Sequence, residues 1–225
     1  MIRSIAGKAA LAVLGAALGA GLAGNAAAQG KESGFLKDYS QLKVEKDPTG
    51  VERRVWVSPK FTGANYQKIL LDPIVFYPEP QASEQVSKDT LANIISYANR
   101  AMKEAVATTV PMDNGPGPGV ARVRVAFTAA GVAGADFKPY QLVPVALVFT
   151  VAKKASGNEK GQATLQVESE ITDSVTGETL ALIVRSAKGI EVKAGQPLTM
   201  AEARPQINAW TNSVRQSLDA RMRKK

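Results

Sequence analysis

From Leu165 the chain alternates, with Leu165, Val167, Ser169 and Ile171 on one side and Gln166, Glu168, Glu170 and Thr172 on the other. A period of two marks a strand with one face turned to a core. Asp173-Ser174-Val175-Thr176-Gly177 then supplies turn chemistry. Its Asp can accept from nearby backbone amides, and its Gly takes positive φ without steric cost. The alternation resumes with Leu180, Leu182 and Val184 against Thr179, Ala181, Ile183 and Arg185. Together the runs predict an antiparallel hairpin over 164–189. Ile183 makes its second face partly apolar, as in a strand covered on both sides.

The same periodicities place the other elements. Leu91, Ile94, Ile95, Ala98, Met102 and Ala105 recur at helical spacing and predict a helix over Ser87–Val106, capped by Ser87 or Ser83. Core packing explains Tyr97 and Met102 more simply than a ligand site does. A second helix opens at the capping box Thr199-Met200-Ala201-Glu202 and buries Ile207, Trp210, Val214 and Leu218. Its basic end, Arg221 with Arg223, Lys224 and Lys225, suits the helix dipole. Arg53–Val57 and Val120–Thr128 read as strands. Tyr66–Phe76 reads as one strand with Pro73 at a bulge or edge. Asn114–Gly119 is a turn rather than a phosphate cradle, because two prolines remove amides and a strand follows. Tyr140–Ala152 is apolar and short, with helix slightly preferred over strand. Phe35, Leu36, Tyr39 and Leu42 are spaced to dock a short turn onto the body, and Glu45–Gly50 is a polar loop.

These elements give one α/β (α+β) domain: a mixed or mostly antiparallel sheet packed by two main helices. Residues 1–28 precede it as a signal peptide, 29–52 form an extended segment, and 53–225 make the domain. Arg3 and Lys8 open a basic region, Ala9–Ala23 is apolar, and Ala26-Ala27-Ala28 places small residues before Gln29. Cleavage is expected between Ala28 and Gln29, with no transmembrane span in the mature chain.

Composition removes most catalytic classes. The chain holds no Cys and no His, which excludes thiol and imidazole nucleophiles, bases and metal ligands. No cofactor, metal site or catalytic motif is expected. Aromatic residues are only 6% of the chain, too few for extensive base stacking, so no nucleic-acid partner is expected. Net charge is +8, and removal of residues 1–28 with Arg3 and Lys8 leaves +6. That surplus suits an anionic envelope component, although dispersed basic residues also serve solubility.

Two carboxylates, Glu168 and Glu170, share a strand face. They read first as a solvated face opposite Arg185 or Lys188 and second as an acid–base pair. Arg122 and Arg124 share a face on another strand and are expected to pair with them.

Three pieces occur in order: Ser33-Gly34-Phe35-Leu36-Lys37-Asp38-Tyr39-Ser40-Gln41-Leu42; Pro116-Gly117-Pro118-Gly119-Val120-Ala121-Arg122-Val123-Arg124; and Glu168–Gly189 with its Thr176-Gly177-Glu178 turn. Together they resemble the bacterial envelope family called domain of unknown function 3313, over about residues 33–220. The resemblance implies outer-membrane-associated lipoproteins of Gram-negative bacteria and brings no catalytic residues. Leu22-Ala23-Gly24-Asn25 is similar to a lipobox in which Asn25 replaces the lipid-bearing Cys. No lipid anchor is therefore expected. The chain reads as a non-enzymatic protein, periplasmic or outer-membrane associated, that binds another envelope protein or an anionic component. A carrier or sensor of an anionic or lipidic ligand, walled by 140–152, is the alternative. A carboxylate-based hydrolase is the last.

Overall fold

A computed structural model describes residues 32–80, 87–133, 143–144, 160–193 and 199–222. The signal segment, the Ala28–Gln29 junction and Leu22–Asn25 lie outside the described residues.

Three long strands form the middle of the sheet: β5 (Val120–Ala133), β7 (Lys160–Asp173) and β8 (Thr179–Lys193). The expected hairpin is β7–β8, with Gly177 at φ 73° in its turn. Five short strands complete the sheet: β1 (Lys43–Lys46), β2 (Glu52–Val57), β3 (Lys68–Leu71), β4 (Val75–Phe76) and β6 (Val143–Pro144). The eight-stranded order is β1-β2-β8-β7-β5-β3, with β4 and β6 also pairing with β5. Among the described residues, β3 and β4 run parallel to their partner, β5, and the other strand pairs are antiparallel.

Two helices among the described residues cover one face. Helix α1 (Lys88–Ala107) is capped by Ser87, whose side chain accepts from the Thr90 amide. Helix α2 (Met200–Met222) opens with the expected box: the Ala201 amide donates to Thr199 Oγ1 at 3.1 Å, and Glu202 Oε2 accepts from the Thr199 amide at 2.9 Å. Ile94, Ala98, Met102, Ile207 and Trp210 pack on Val125, Phe127 and Val167. Trp210 meets the fully buried Phe127 edge-on, with ring centroids 5.6 Å apart.

The opposite face is also covered. Phe35 and Leu36, with Tyr39 and Leu42, pack on Ala126, Leu182 and Val184. That cover changes the fate of the polar face of β7. Glu168 and Glu170 are 0% and 2% exposed, not solvated. Alternation fixed which face they share, but the layer above them comes from a segment far away in the chain.

Other differences have local reasons. Tyr66–Phe76 is two strands, because Pro73 offers no donor. The Ile74 amide beyond it is bonded instead by Asn99 Oδ1 of α1 at 2.8 Å. Part of the expected 45–50 loop is strand β1. All four of its residues are exposed, so it shows no alternation of burial. It is an edge strand, and Lys43 and Lys46 blunt that edge against further pairing. Within Tyr140–Ala152 only Val143–Pro144 is described, and it is strand rather than helix; Pro144 is tolerated in a short marginal strand.

Candidate functional site

Two polar constellations sit inside the molecule, one on each face of the sheet. On the N-terminal side, Tyr39 is the hub. Its hydroxyl donates to Glu168 Oε2 at 2.6 Å and accepts from the Gly34 and Leu36 amides at 3.2 Å each. The other Glu168 oxygen accepts from Thr128 Oγ1 at 2.8 Å and Gln166 Nε2 at 3.0 Å. A buried carboxylate is tolerated only with such partners. Burial first, and then the hydrogen bond to Glu168, raise the Tyr39 phenol above its ordinary pKa.

Glu170 takes the other predicted partner. Arg124 Nη1 donates to Glu170 Oε2 at 2.7 Å, and its guanidinium lies 5.0 Å from the Phe35 ring centroid. Arg122 instead reaches Asp72 at 2.8 Å, so only half of the expected arginine–glutamate pairing forms. Arg185 also avoids the glutamates, because it points to the helix-facing side. Both glutamates are therefore engaged in holding residues 33–39 and β5 to β7.

The second constellation adjoins a cavity of about 210 Å³ between the sheet and the helices. Val55, Ile183, Ser169 and Val125 line it from the sheet, and Trp210 and Leu218 from α2. Met102 lines it from α1, whereas Tyr97 lies outside, its hydroxyl donating to Asn208 Oδ1 at 2.6 Å. The remaining wall carries Arg53, Arg185 and Arg221.

Strand register explains this basic wall. Glu45, Arg53 and Arg185 occupy one row across β1, β2 and β8. Two arginines directly opposite one another repel, and each is held by an acid. Arg53 Nη2 donates to Glu45 Oε1 at 2.6 Å. Arg185 Nη2 forms an ion pair with Asp47 Oδ2 at 3.1 Å. Asp47 also accepts from Ser213 of α2 and from the Thr49 and Val51 amides. Burial pushes the Asp47 carboxyl up, but these hydrogen bonds and the Arg185 charge together hold it below its ordinary value. Burial pulls the Arg185 guanidinium down, Asp47 opposes that, and Arg53 adds to it. Arg221, expected in a basic helix end that suits the dipole, turns inward: it donates to the Phe61 carbonyl at 3.2 Å and lies over the Phe61 ring.

One atom in this wall stands out. Arg185 Nε is buried and has no hydrogen-bond partner. Its side chain is 9% exposed and lines the cavity. An orphaned buried donor costs about 1–3 kcal/mol.

The family of proteins of unknown function DUF3313 matches residues 31–214. The chain belongs to this family. Its relatives include the uncharacterized lipoprotein YdcL of Escherichia coli K12, 36% identical over 159 residues, which are 71% of this chain and 72% of that protein. The YdcL of E. coli O157:H7 matches equally. Among solved structures, a PelC dodecamer variant from Paraburkholderia phytofirmans covers 76% of this chain and 98% of its own, at 13% identity and TM-score 0.37. A neuraminyllactose-binding hemagglutinin homolog from Helicobacter pylori covers 74% and 88%, at 10% identity and TM-score 0.36. Scores this low carry no argument about this chain.

The relatives correct one expectation. No lipid anchor was expected, because Asn25 stands where a lipobox carries Cys. The DUF3313 relatives are named lipoproteins, which implies a lipid anchor. The expectation rested on one leader position and one attachment chemistry, and it is withdrawn. Among the described residues no helix is long and apolar enough to cross a membrane, and no group of three potential metal ligands occurs.

The cavity under α2 was not anticipated from the sequence; the pocket wall expected at 140–152 lies, apart from Val143–Pro144, outside the described residues. One signal was available. Arg53 and Arg185 each sit on strands whose neighbouring same-face residues, Val55 and Ile183, are apolar. A charge in such a series marks where a buried face meets a mouth or a partner.

Proposed function

We propose that this member of the family is a non-catalytic binding module of the bacterial cell envelope, and that the cavity under α2 is its ligand site. The observation that carries this reading is the cavity itself: an apolar hollow of about 210 Å³, bounded by Val55, Ile183 and Trp210, with Arg185 in its wall. Protein interiors normally leave few voids larger than a water molecule. Apolar hollows with a few placed polar groups are the usual form of small-molecule sites.

Three further facts support an envelope location and a binding role. The first 28 residues have the form of an export leader. The relatives are lipoproteins by name. The absence of Cys and His leaves a narrow catalytic repertoire, and Glu168 is occupied through both oxygens and Glu170 through Oε2, its buried Oε1 having no partner among the described residues.

Native mass spectrometry on protein purified from a bacterial envelope fraction tests the reading. The expected result is a bound small molecule on the wild type that is lost in Ser169→Leu, which fills the sheet side of the cavity. A bare mass for both proteins overturns it.

A further inference from the structure

We infer that the cavity binds an anion-headed single acyl chain, with the head group accepted by Arg185 and the chain lying between the sheet and α2. This rests on the cavity being a ligand site and adds the chemical class of the ligand.

The head-group end follows from Arg185. A guanidinium offers five donors in a fixed plane. Asp47 takes Nη2 at 3.1 Å, and Nε has no partner despite its burial. Arg53 lies directly across the β2–β8 pair, and Arg221 shares the same wall. An acceptor arriving here satisfies a donor already stripped of water and relieves repulsion between neighbouring guanidinium groups. A carboxylate or phosphate does both. A hydroxyl or an ester carbonyl meets only the first need.

The chain end follows from the walls. Beyond the arginines they are mostly apolar, formed by Val55, Ile183, Val125, Trp210 and Leu218; Ser213 and Ser217 are taken up by Asp47 and Arg53, which leaves Ser169 as the polar exception on the sheet. A cavity of about 150 Å³ suffices for a benzene-sized guest, while sites for drug-sized molecules begin near ~300 Å³. At about 210 Å³ this cavity accommodates one short or medium acyl chain and is too small for the paired tails of a diacyl lipid. A polar ligand such as a sugar would find too few partners for its hydroxyls along these walls.

Carboxylate and phosphate head groups share the recognition chemistry but come from different sources: free fatty acids, or phosphate-headed lipids with one chain. Isothermal titration of the wild type with decanoate, decyl phosphate, decanol and acetate separates the possibilities. The expected result is saturable 1:1 binding of decanoate or decyl phosphate, tighter than decanol by about tenfold or more, with acetate not saturating. The tighter of the two anions identifies the source.

Equal affinities for decanol and the anions would overturn the anionic head group and leave the cavity reading standing. Acetate binding as tightly as decanoate would overturn the acyl chain. No binding of any of the four would overturn both this inference and the proposed site. The double variant Asp47→Asn/Arg185→Met, which removes both charges of the buried pair, is expected to lower decanoate affinity to that of decanol without weakening decanol. Unchanged decanoate affinity would overturn the role of Arg185. The wild-type series decides the head-group question even where that variant does not fold.

Discussion

At the scale of residues, the best-anchored point is Tyr39 on Glu168. A charge-assisted hydrogen bond to a fully buried carboxylate contributes more than a neutral one, and its loss leaves an oxygen unsatisfied. Tyr39→Phe is expected to lower the unfolding free energy by about 2 kcal/mol in urea titrations. A change under about 0.5 kcal/mol would mean that the hydroxyl is dispensable. Tyr66 gives a pH signature. Burial first, and then the Asp173 carboxylate 3.0 Å away, raise its phenol to about 12. A raised folded value means the stabilisation is complete below the ordinary tyrosine pKa and is lost as pH rises through about 12. Stability should therefore fall across that alkaline window, by at most about 1.4 kcal/mol per pH unit from this group. Tyr66→Phe should flatten the slope in urea titrations at several pH values. At this scale the sequence revealed which residues share a face but not whether that face is wet. The contact that buries Glu168 spans 129 positions, beyond any local pattern.

At the scale of elements, the helices and the hairpin were legible, because Ser87 and Thr199 are capping residues and the apolar periods are regular. The β3–β4 break was half legible: Pro73 announced an irregularity, but Asn99 of α1, which satisfies the Ile74 amide, did not. Pro205 inside α2 was overlooked; it removes one donor from the helical ladder without ending the helix. Removing the capping box of α2, Thr199→Ala, should cost about 1 kcal/mol in thermal or urea unfolding. Loss of several kcal/mol would mean that Thr199 does more than cap. Gly63 marks a close approach between a loop and the end of α2. A Cβ there would lie 2.5 Å from the Met222 carbonyl oxygen, a backbone atom that cannot rotate away. Gly63→Ala is expected to cost about 1–3 kcal/mol and to loosen the end of α2, read as faster amide exchange near Met222. Unaltered exchange would contradict that packing.

For the whole molecule, Asp47 ties the sheet edge to the helix layer by joining Arg185 of β8 to Ser213 of α2. Its removal strands a buried guanidinium, so Asp47→Ala should cost about 3–5 kcal/mol. Its depressed folded pKa gives stability that is complete above the ordinary aspartate value and lost as pH falls through the lower folded value. The architecture was legible as one α+β sheet with, among the described residues, two helices. The cavity was not, because it is a gap left by β2, β8, β7, β5 and both helices together, and no single segment records it. The central claim is that this gap is a binding site. Its most direct test is a fluorescence titration with the neutral probe 1-aminoanthracene, comparing wild type with a folded Ser169→Leu variant. The account predicts a saturable single-site enhancement in the wild type that the filled variant lacks. No saturable enhancement, or the same enhancement in both proteins, would contradict it.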